Sequence, residues 1–310
     1  MFFRKGEVSV VFVIGELLVD IFPDYKRIGG APFNFAYHLK NLGVPVRFLS
    51  GIGSDHYGDE ILSMLKQNQF RADDIQVDPE HATGQVQVSF DKEGSPHFAI
   101  MEDAAYDHID FSACAPLKEP LEMIYFGTLI QRTPDGFSRL QAFLDSMDPE
   151  VPCFYDVNLR QGTRQPEVIH HSLQRADIVK LNEEELDYIS REMVDSKDKG
   201  EARVFSLMQQ YSIRALSLTR GSEGSELFLD DWQHFSVSAQ NVDPIVDTVG
   251  AGDAYAAVLA LGWLKHWHPQ RMLSLATLFS ASVCRIEGAV PEDAAFYQHM
   301  KNMIEGEADA

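Results

Sequence analysis

Apolar positions follow two rhythms along this chain, and the change between them outlines the architecture. Residues 8–15 form an unbroken, largely β-branched run, the pattern of a strand covered on both faces in a parallel sheet. Shorter runs of the same kind recur at 46–53, 123–126, 153–155, 177–182 and 215–218. Helical stretches separate them: one from the Gly29-Gly30 pair to Leu42 with Gly43 as its stop, then 55–68, 135–147 and 202–211, and two more beginning near Gly252 and at Pro269. Such alternation predicts an α/β fold with a mainly parallel sheet. Between 83 and 101 the rhythm changes to period two: residues 85–90 alternate polar and apolar, 91–94 make a turn, and 97–100 make the return strand. A hairpin is marginal alone, so this one must pack over something, whether as a cover, as an edge of the main sheet or as a contact between copies. Phe98 and Ile100 are candidates for its apolar underside. The acidic tail from Met303 is expected to fray.

Composition then narrows the function classes. With 310 residues, 45% hydrophobic and 24% charged, the chain can bury a large core. A net charge of -21 argues against nucleic acid or an anionic membrane as a partner, because both select clustered Lys and Arg. Cys114, Cys153 and Cys284 lie far apart and make neither a disulfide framework nor a zinc motif, which suits reduced thiols and the cytoplasm. The apolar run at 8–14 is too short to span a bilayer, and Glu16 and Asp20 follow it at once, so a core strand is expected rather than a signal peptide. No repeat, low-complexity segment or linker divides the chain.

Candidate chemistry is concentrated where glycine-rich loops meet helices. In Asp247-Thr248-Val249-Gly250-Ala251-Gly252-Asp253 a glycine loop runs into an Ala- and Leu-rich helix. The first helical N–H groups have no partner within the helix, so those of Gly250, Ala251 and Gly252 can form an anion hole. Asp253 beside such a hole can take a proton from a hydroxyl, or can simply cap the helix. Gly29-Gly30 followed by Asn34 allows close approach of a small hydroxylated ligand, or makes a plain turn. Asp20 follows the carboxyl end of the first strand, where open α/β sheets place their ligands. In Asp156-Val157-Asn158-Leu159-Arg160 an extended segment would project Asp156, Asn158 and Arg160 from one face; the arginine can hold phosphate oxygens or pair with Asp156. Asn182 and Glu185 have capping-box spacing. Thr219, Gly221 and Gly224 lie in a turn between two strands.

These motifs, in this order, resemble the ribokinase-like (pfkB) carbohydrate kinases, with GGAPFN and DTVGAGD the most specific and GGAPxN and D-x-N-x-R similar to fructokinases. The resemblance implies a three-layer α/β/α fold, with residues 1–310 as a single kinase domain and a small β lid from segments at about 21–30 and 83–107. It implies ATP-dependent transfer of the γ-phosphoryl group to a sugar, with Asp253 as base and Gly250, Ala251 and Gly252 receiving the phosphate. Asp20, Gly30, Asn34, Phe98, Asn158 and Arg160 would bind the sugar or the transferred group. Asn182, Thr219, Gly221 and Gly224 would line the nucleotide, and Glu185 would organise Mg2+ through water. A monovalent cation, K+, is implied near Asp247 and the loop at Gly288. Fructose is the first substrate, 2-keto-3-deoxygluconate or another sugar the alternative, and a catalytically silent sugar- or nucleotide-binding regulator the alternative of another class. The chain is expected to work as a monomer or as a homodimer through the lid.

Overall fold

The computed structural model of the protein describes residues 9–90, 96–114, 117–160, 162–194, 198–240, 242–291 and 293–306. In chain order the strands are β1 (Val10–Ile14), β2 (Leu18–Ile21), β3 (Lys26–Gly29), β4 (Val46–Gly53), β5 (Ile75–Asp78), β6 (Gly84–Phe90), β7 (Pro96–Ile100), β8 (Leu121–Gly127), β9 (Cys153–Asp156), β10 (Ile178–Asn182), β11 (Ala215–Thr219), β12 (Ser225–Leu229) and β13 (His234–Val237). The α-helices are α1 (Ala31–Asn41), α2 (His56–Gln67), α3 (Pro134–Asp145), α4 (Pro166–Arg175), α5 (Glu183–Met193), α6 (Glu201–Tyr211), α7 (Ala251–Leu264), α8 (Pro269–Val283) and α9 (Ala294–Gly306).

Nine of these strands form one sheet, ordered β13-β12-β11-β10-β9-β8-β1-β4-β5. It is parallel from β5 to β11 and antiparallel at the β12–β13 edge. The alternation within β1 explains the three layers. Val11 and Val13 enter a core with α1, α7 and α8, whereas Phe12 and Ile14 enter a second core with α3, α4, α5 and α6. A strand buried on both faces needs apolar residues at every position, which is why its run reads as continuous. The last two strands are antiparallel because short turns join them, as at Thr219 to Gly224.

Helix α7 is apolar all round, and its residues from Asp253 to Gly262 are all buried. It lies between α1 and α8, so its N-terminus is fixed by packing on both sides. The topology changes direction beside β1, whose neighbours are β4 and β8. The carboxyl edge of the sheet beside such a point is where open α/β folds make a crevice.

A second, four-stranded sheet has the order β3-β2-β6-β7. Leu18, Val86 and Val88 pack beneath it against Ala104, Tyr106 and Leu129. The start and end of the β6–β7 hairpin are tied by backbone bonds from Met101 to Gln85 and from Ala105 to Ala82, at 2.8 and 2.9 Å. Arg132 braces the same base, donating to Asp107 Oδ1 at 2.8 Å and to the Met101 carbonyl at 2.7 Å.

Several expectations need revision. Residues 18–21 and 26–29 are paired strands, so Asp20 follows β1 as expected but lies within a strand of the small sheet. Their backbone partners come partly from β6, more than sixty positions later, which no local pattern reveals. Helix α9 continues through Met303 to Gly306 because Tyr297 and Met300 anchor it in the core. Val8 and the turn at 91–94 lie outside the described residues. Strands β5 and β13 and helix α4 had no expectation attached; the two strands are short and only partly buried.

Candidate active site

The glycine loop and α7 meet as their sequence suggests. Gly250 is the N-cap at φ 77, a conformation that disfavours a side chain, and a Cβ there would come within 2.3 Å of Ala289. Gly252 follows in the first turn, where a Cβ would stand 3.5 Å from Lys180 Nζ, so an ammonium lies beside the helix N-terminus. The Ala251 N–H is partly engaged with the Thr248 carbonyl at 3.3 Å, and Ser280 Oγ donates to the Ala251 carbonyl at 2.8 Å. Helix geometry leaves the first-turn N–H groups without intrahelical acceptors, and Lys180 adds full positive charge to that partial charge.

Asp253 sits in this turn, buried, and its Oδ2 accepts the Asn34 Nδ2–H at 2.8 Å. Asn34 belongs to the first turn of α1, which begins at Gly30. Gly30 has φ 117, and a Cβ there would lie 2.5 Å from the Glu16 carbonyl, so only glycine lets α1 start this close to the segment after β1. Asn34 Oδ1 is buried and has no protein partner, so an acceptor is left for a ligand hydroxyl.

Three carboxyl groups share this corner. Burial pushes Asp253 up to about 6; Asp156 adds to the rise, while Asn34, Lys180 and Arg160 oppose it. Burial likewise pushes Glu16 up to about 7 and Asp20 to about 6, each opposed by Arg160 and each raised further by Asp253. Glu16 Oε2 is buried without a protein partner. Like charges in one dry site cannot all ionise cheaply; Arg160 offsets all three, joined by Arg27 at Asp20 and by Lys180 at Asp253. Asp20 reaches in from β2, and Gly29 leaves room for it, since a Cβ there would lie 2.8 Å from Asp20 Oδ2.

Behind Asp253 lies an ion pair in the core. Asp156, the last residue of β9, accepts from Lys180 Nζ at 2.9 Å and from the Tyr125 hydroxyl at 3.0 Å. Burial alone would lower Lys180, but Asp156, Glu185 and Asp253 outweigh it and hold the ammonium protonated. Strand β9 ends at Asp156 and Asn158 has φ 37, so the alternation expected through Arg160 breaks. Asp156 turns into the core, Asn158 is half-buried in the loop, and Arg160 is exposed but electrostatically coupled to Glu16, Asp20 and Asp253.

Toward the other end of the sheet, Asn182 caps α5 and accepts the Glu185 N–H at 2.9 Å. Glu185 returns the bond to Asn182 N at 2.8 Å and accepts Leu159 N–H at 2.7 Å, so both oxygens hold backbone and Glu185 ties the Arg160 loop to α5. A directly coordinated magnesium would compete with these bonds; a water-held one suits the remaining lone pairs. Thr219 ends β11, and Gly221 and Gly224 have φ 53 and 114 in the turn that follows. At Gly224 a Cβ would meet the Val237 carbonyl at 2.0 Å. Phe98 lies on the small sheet, paired with Val88 and 44% exposed, while Ile100 and Val86 pair opposite Asp20. Asp247 accepts from Val249 N and Gly288 N, both at 3.0 Å, and faces Arg27 at 3.6 Å.

The structure therefore brings Asp20, Gly30, Asn34, Arg160 and Asp253 together. Thr219, Gly221 and Gly224 lie at the end of β11, a strand paired with β10, whose last residue is Asn182. Glu16 and Lys180 join this group without a motif of their own; their one signal in the sequence is a charge beside an apolar run, Glu16 in the GELLVD stretch and Lys180 within β10.

The family model for pfkB carbohydrate kinases matches residues 22–294. This chain belongs to that family and is a carbohydrate kinase. Fructokinase of Salmonella typhimurium is 28% identical over 289 residues, covering 88% of this chain and 91% of the relative. An uncharacterized sugar kinase of Pyrococcus horikoshii, solved in complex with ATP, is 26% identical with TM-score 0.76, covering 90% of this chain and 93% of the other. A double mutant of fructokinase from Vibrio cholerae O395, solved with fructose, ADP and a potassium ion, is 25% identical with TM-score 0.80, covering 96% and 100%.

Proposed function

We propose that the protein transfers the γ-phosphoryl group of ATP to a hydroxyl of fructose. The observation that carries this reading is the buried Asp253 carboxyl at the N-terminus of α7, hydrogen-bonded to Asn34 and facing the segment after β1. The fructose- and ADP-bound Vibrio relative and the Salmonella fructokinase support the choice of sugar, and the ATP-bound Pyrococcus structure supports the donor.

In this mechanism Asp20, Gly30, Asn34 and Asn158 hold the sugar hydroxyls, with Glu16 as an additional acceptor. Asp253 takes the proton from the attacking hydroxyl, for which a carboxyl near 6 is better matched than an ordinary aspartate. The N–H groups of Gly250, Ala251 and Gly252, with Lys180 and Arg160 nearby, offset charge on the transferring group. The small sheet, with Phe98 at its open end, acts as a lid that excludes water. Asn182, Thr219, Gly221 and Gly224 line the nucleotide. A magnesium ion, held through water near Glu185, would neutralise phosphate charge when bound. Asp247 and the Gly288 loop would hold a potassium ion, which must share that carboxylate with Arg27. Cys114, Cys153 and Cys284 form no disulfide among the described residues, which supports a reducing, cytoplasmic setting.

Glu16, Asp20 and Asp253 also bear on the alternative. Three carboxyl groups that share Arg160, with Arg27 acting further on Asp20 and Lys180 on Asp253, keep raised pKa values, and an environment that resists carboxylate charge favours a neutral sugar over an acidic one such as 2-keto-3-deoxygluconate. ADP release measured across fructose, 2-keto-3-deoxygluconate, tagatose, ribose and nucleosides should be largest in kcat/KM for fructose. Asp253→Asn should lower kcat by about 100-fold or more with little change in KM. Binding without ADP release would instead identify a regulator, and full turnover by Asp253→Asn would remove the base assignment.

A further inference from the structure

A second cluster of titratable groups lies away from these carboxylates, where the β6–β7 hairpin leaves and rejoins the body of the molecule. His81 stands three residues before β6, Asp103 three residues after β7, and His108 at the end of the short helical turn 105–108. Their ligand atoms all lie within 4.8 Å of one another. Asp103 Oδ1 is 2.7 Å from His108 Nε2 and 3.9 Å from His81 Nε2, and the two imidazoles stack with centroids 3.5 Å apart.

We propose that His81, His108 and Asp103 bind one divalent transition-metal ion of the zinc type, which clips together the two ends of the hairpin. Four features carry this. First, the donor set is two imidazoles and a carboxylate, which suits zinc and its neighbours; calcium and magnesium take oxygen ligands. Second, Asp78 Oδ2 is 2.7 Å from His81 Nδ1 and Asp78 Oδ1 accepts the His81 and Glu80 N–H groups, so the ring is held by one nitrogen and presents Nε2 to the cluster. A carboxylate behind a ligating imidazole is the usual outer support of such sites. Third, ligands about 2.0–2.1 Å from a tetrahedral ion stand about 3.3–3.4 Å apart. The two distances from Asp103 bracket that value and no pair of ligand atoms exceeds 4.8 Å, so shifts of up to about 1.5 Å, with a rotation that unstacks the two rings, close the site. Fourth, Asp103 has φ 53, a left-handed conformation uncommon outside glycine, and in it the carboxylate meets both rings.

The side chains of His81 and His108 are 23% and 29% exposed and that of Asp103 is 75% exposed, so an ion can enter and water can complete the coordination. A cavity of about 280 Å³ lined in part by Asp78, Glu80 and His108 adjoins the cluster. The bond from Ala105 N to the Ala82 carbonyl already closes this loop, and a metal would add a second fastening at the same place. The hairpin it would fasten belongs to the sheet that carries Asp20, so the ion would restrict the small sheet without touching the candidate base.

The test uses the full chain, stripped with a chelator and titrated with zinc chloride alone, without nucleotide or magnesium. The expected result is one zinc ion per chain with micromolar or tighter affinity, weakened at least 100-fold in His81→Gln and in His108→Gln. Asp103→Asn, which keeps a residue type tolerant of the left-handed backbone, should also weaken it. Asp78→Asn, which does not touch the ion, should weaken it by about 10–100-fold. X-ray absorption of the zinc-loaded wild type should count two imidazole nitrogens, a readout that stands even if a variant fails to fold. Absence of zinc uptake, uptake unchanged by both histidine substitutions, or a zinc shell with fewer than two imidazoles would each overturn the proposal.

Discussion

At the residue scale the informative group is Asp253, because a first-turn aspartate usually lowers its own pKa by capping and this one is raised. It donates no cap, since Gly250 is the N-cap, and it is sealed between α1 and the sheet. The sign of its pH dependence follows. The folded chain keeps a proton on Asp253, Glu16 and Asp20 at pH values where the unfolded chain has released it, so their contribution to stability is full near pH 4 and is lost as pH rises through 6 to 7. Asp253→Asn should therefore raise the stability of the ligand-free protein at pH 8 by about 1–3 kcal/mol while removing activity, and the gain should vanish near pH 4. Thermal unfolding of both proteins at the two pH values measures this. A variant less stable at pH 8 would mean that Lys180 and Arg160 already offset the buried charge. Asp253, Asn34 and Gly30 could be read from sequence because each lies in a glycine-to-helix junction whose chemistry is local. Glu16 and Lys180 could not be assigned so easily, because only the parallel sheet brings the segment after β1 and the middle of β10 to the same helix end.

At the element scale, the fold was legible wherever burial is two-sided. Strands β1, β4 and β8 and helices α1, α2, α7 and α8 fall within a few residues of the pattern that predicts them. The lid segment expected at about 21–30 contains β3, whereas β2 has no signal of its own, because LVDI is short, half-polar and held by a partner distant in sequence. The Asp156 to Arg160 face failed for a different reason: a left-handed Asn158 breaks the period-two rule that the reading assumed. One element junction is held by charge rather than by apolar packing. Arg47 in β4 donates from Nε to both oxygens of Asp74 at 3.1 and 3.2 Å, with both residues almost fully buried, just before β5. Asp74→Ala would remove the carboxylate nearest this buried guanidinium, with Glu119 standing farther off at 3.6 Å, and should cost about 3–5 kcal/mol in chemical denaturation. A loss below about 1 kcal/mol would show that water or Glu119 replaces the aspartate.

At the scale of the whole molecule, the two sheets divide the labour. The large sheet and its helices fix Asp253, Asn34 and Lys180, whereas Asp20 arrives on the small sheet, whose own core is only a handful of residues. A sheet with so little burial belongs to the low-stability end of the structure. Amide hydrogen exchange over residues 18–29, 84–90 and 96–100 should slow at least about 10-fold when fructose and a nonhydrolysable ATP analogue are bound together, while exchange in α7 stays slow throughout. Equal protection with and without ligands would mean that the small sheet is already closed.

The burial of α7 on every side has a consequence for how such enzymes diversify. Ten consecutive residues of that helix are buried, so drift beside Asp253 is answered by misfolding first. In the small sheet that penalty is confined to a few buried positions such as Leu18, Val19, Val86 and Val88, and exposed ones such as Phe98 carry less of it. Substitutions in α7 are therefore the costly ones for this chain, and those at the exposed positions of the small sheet the cheap ones.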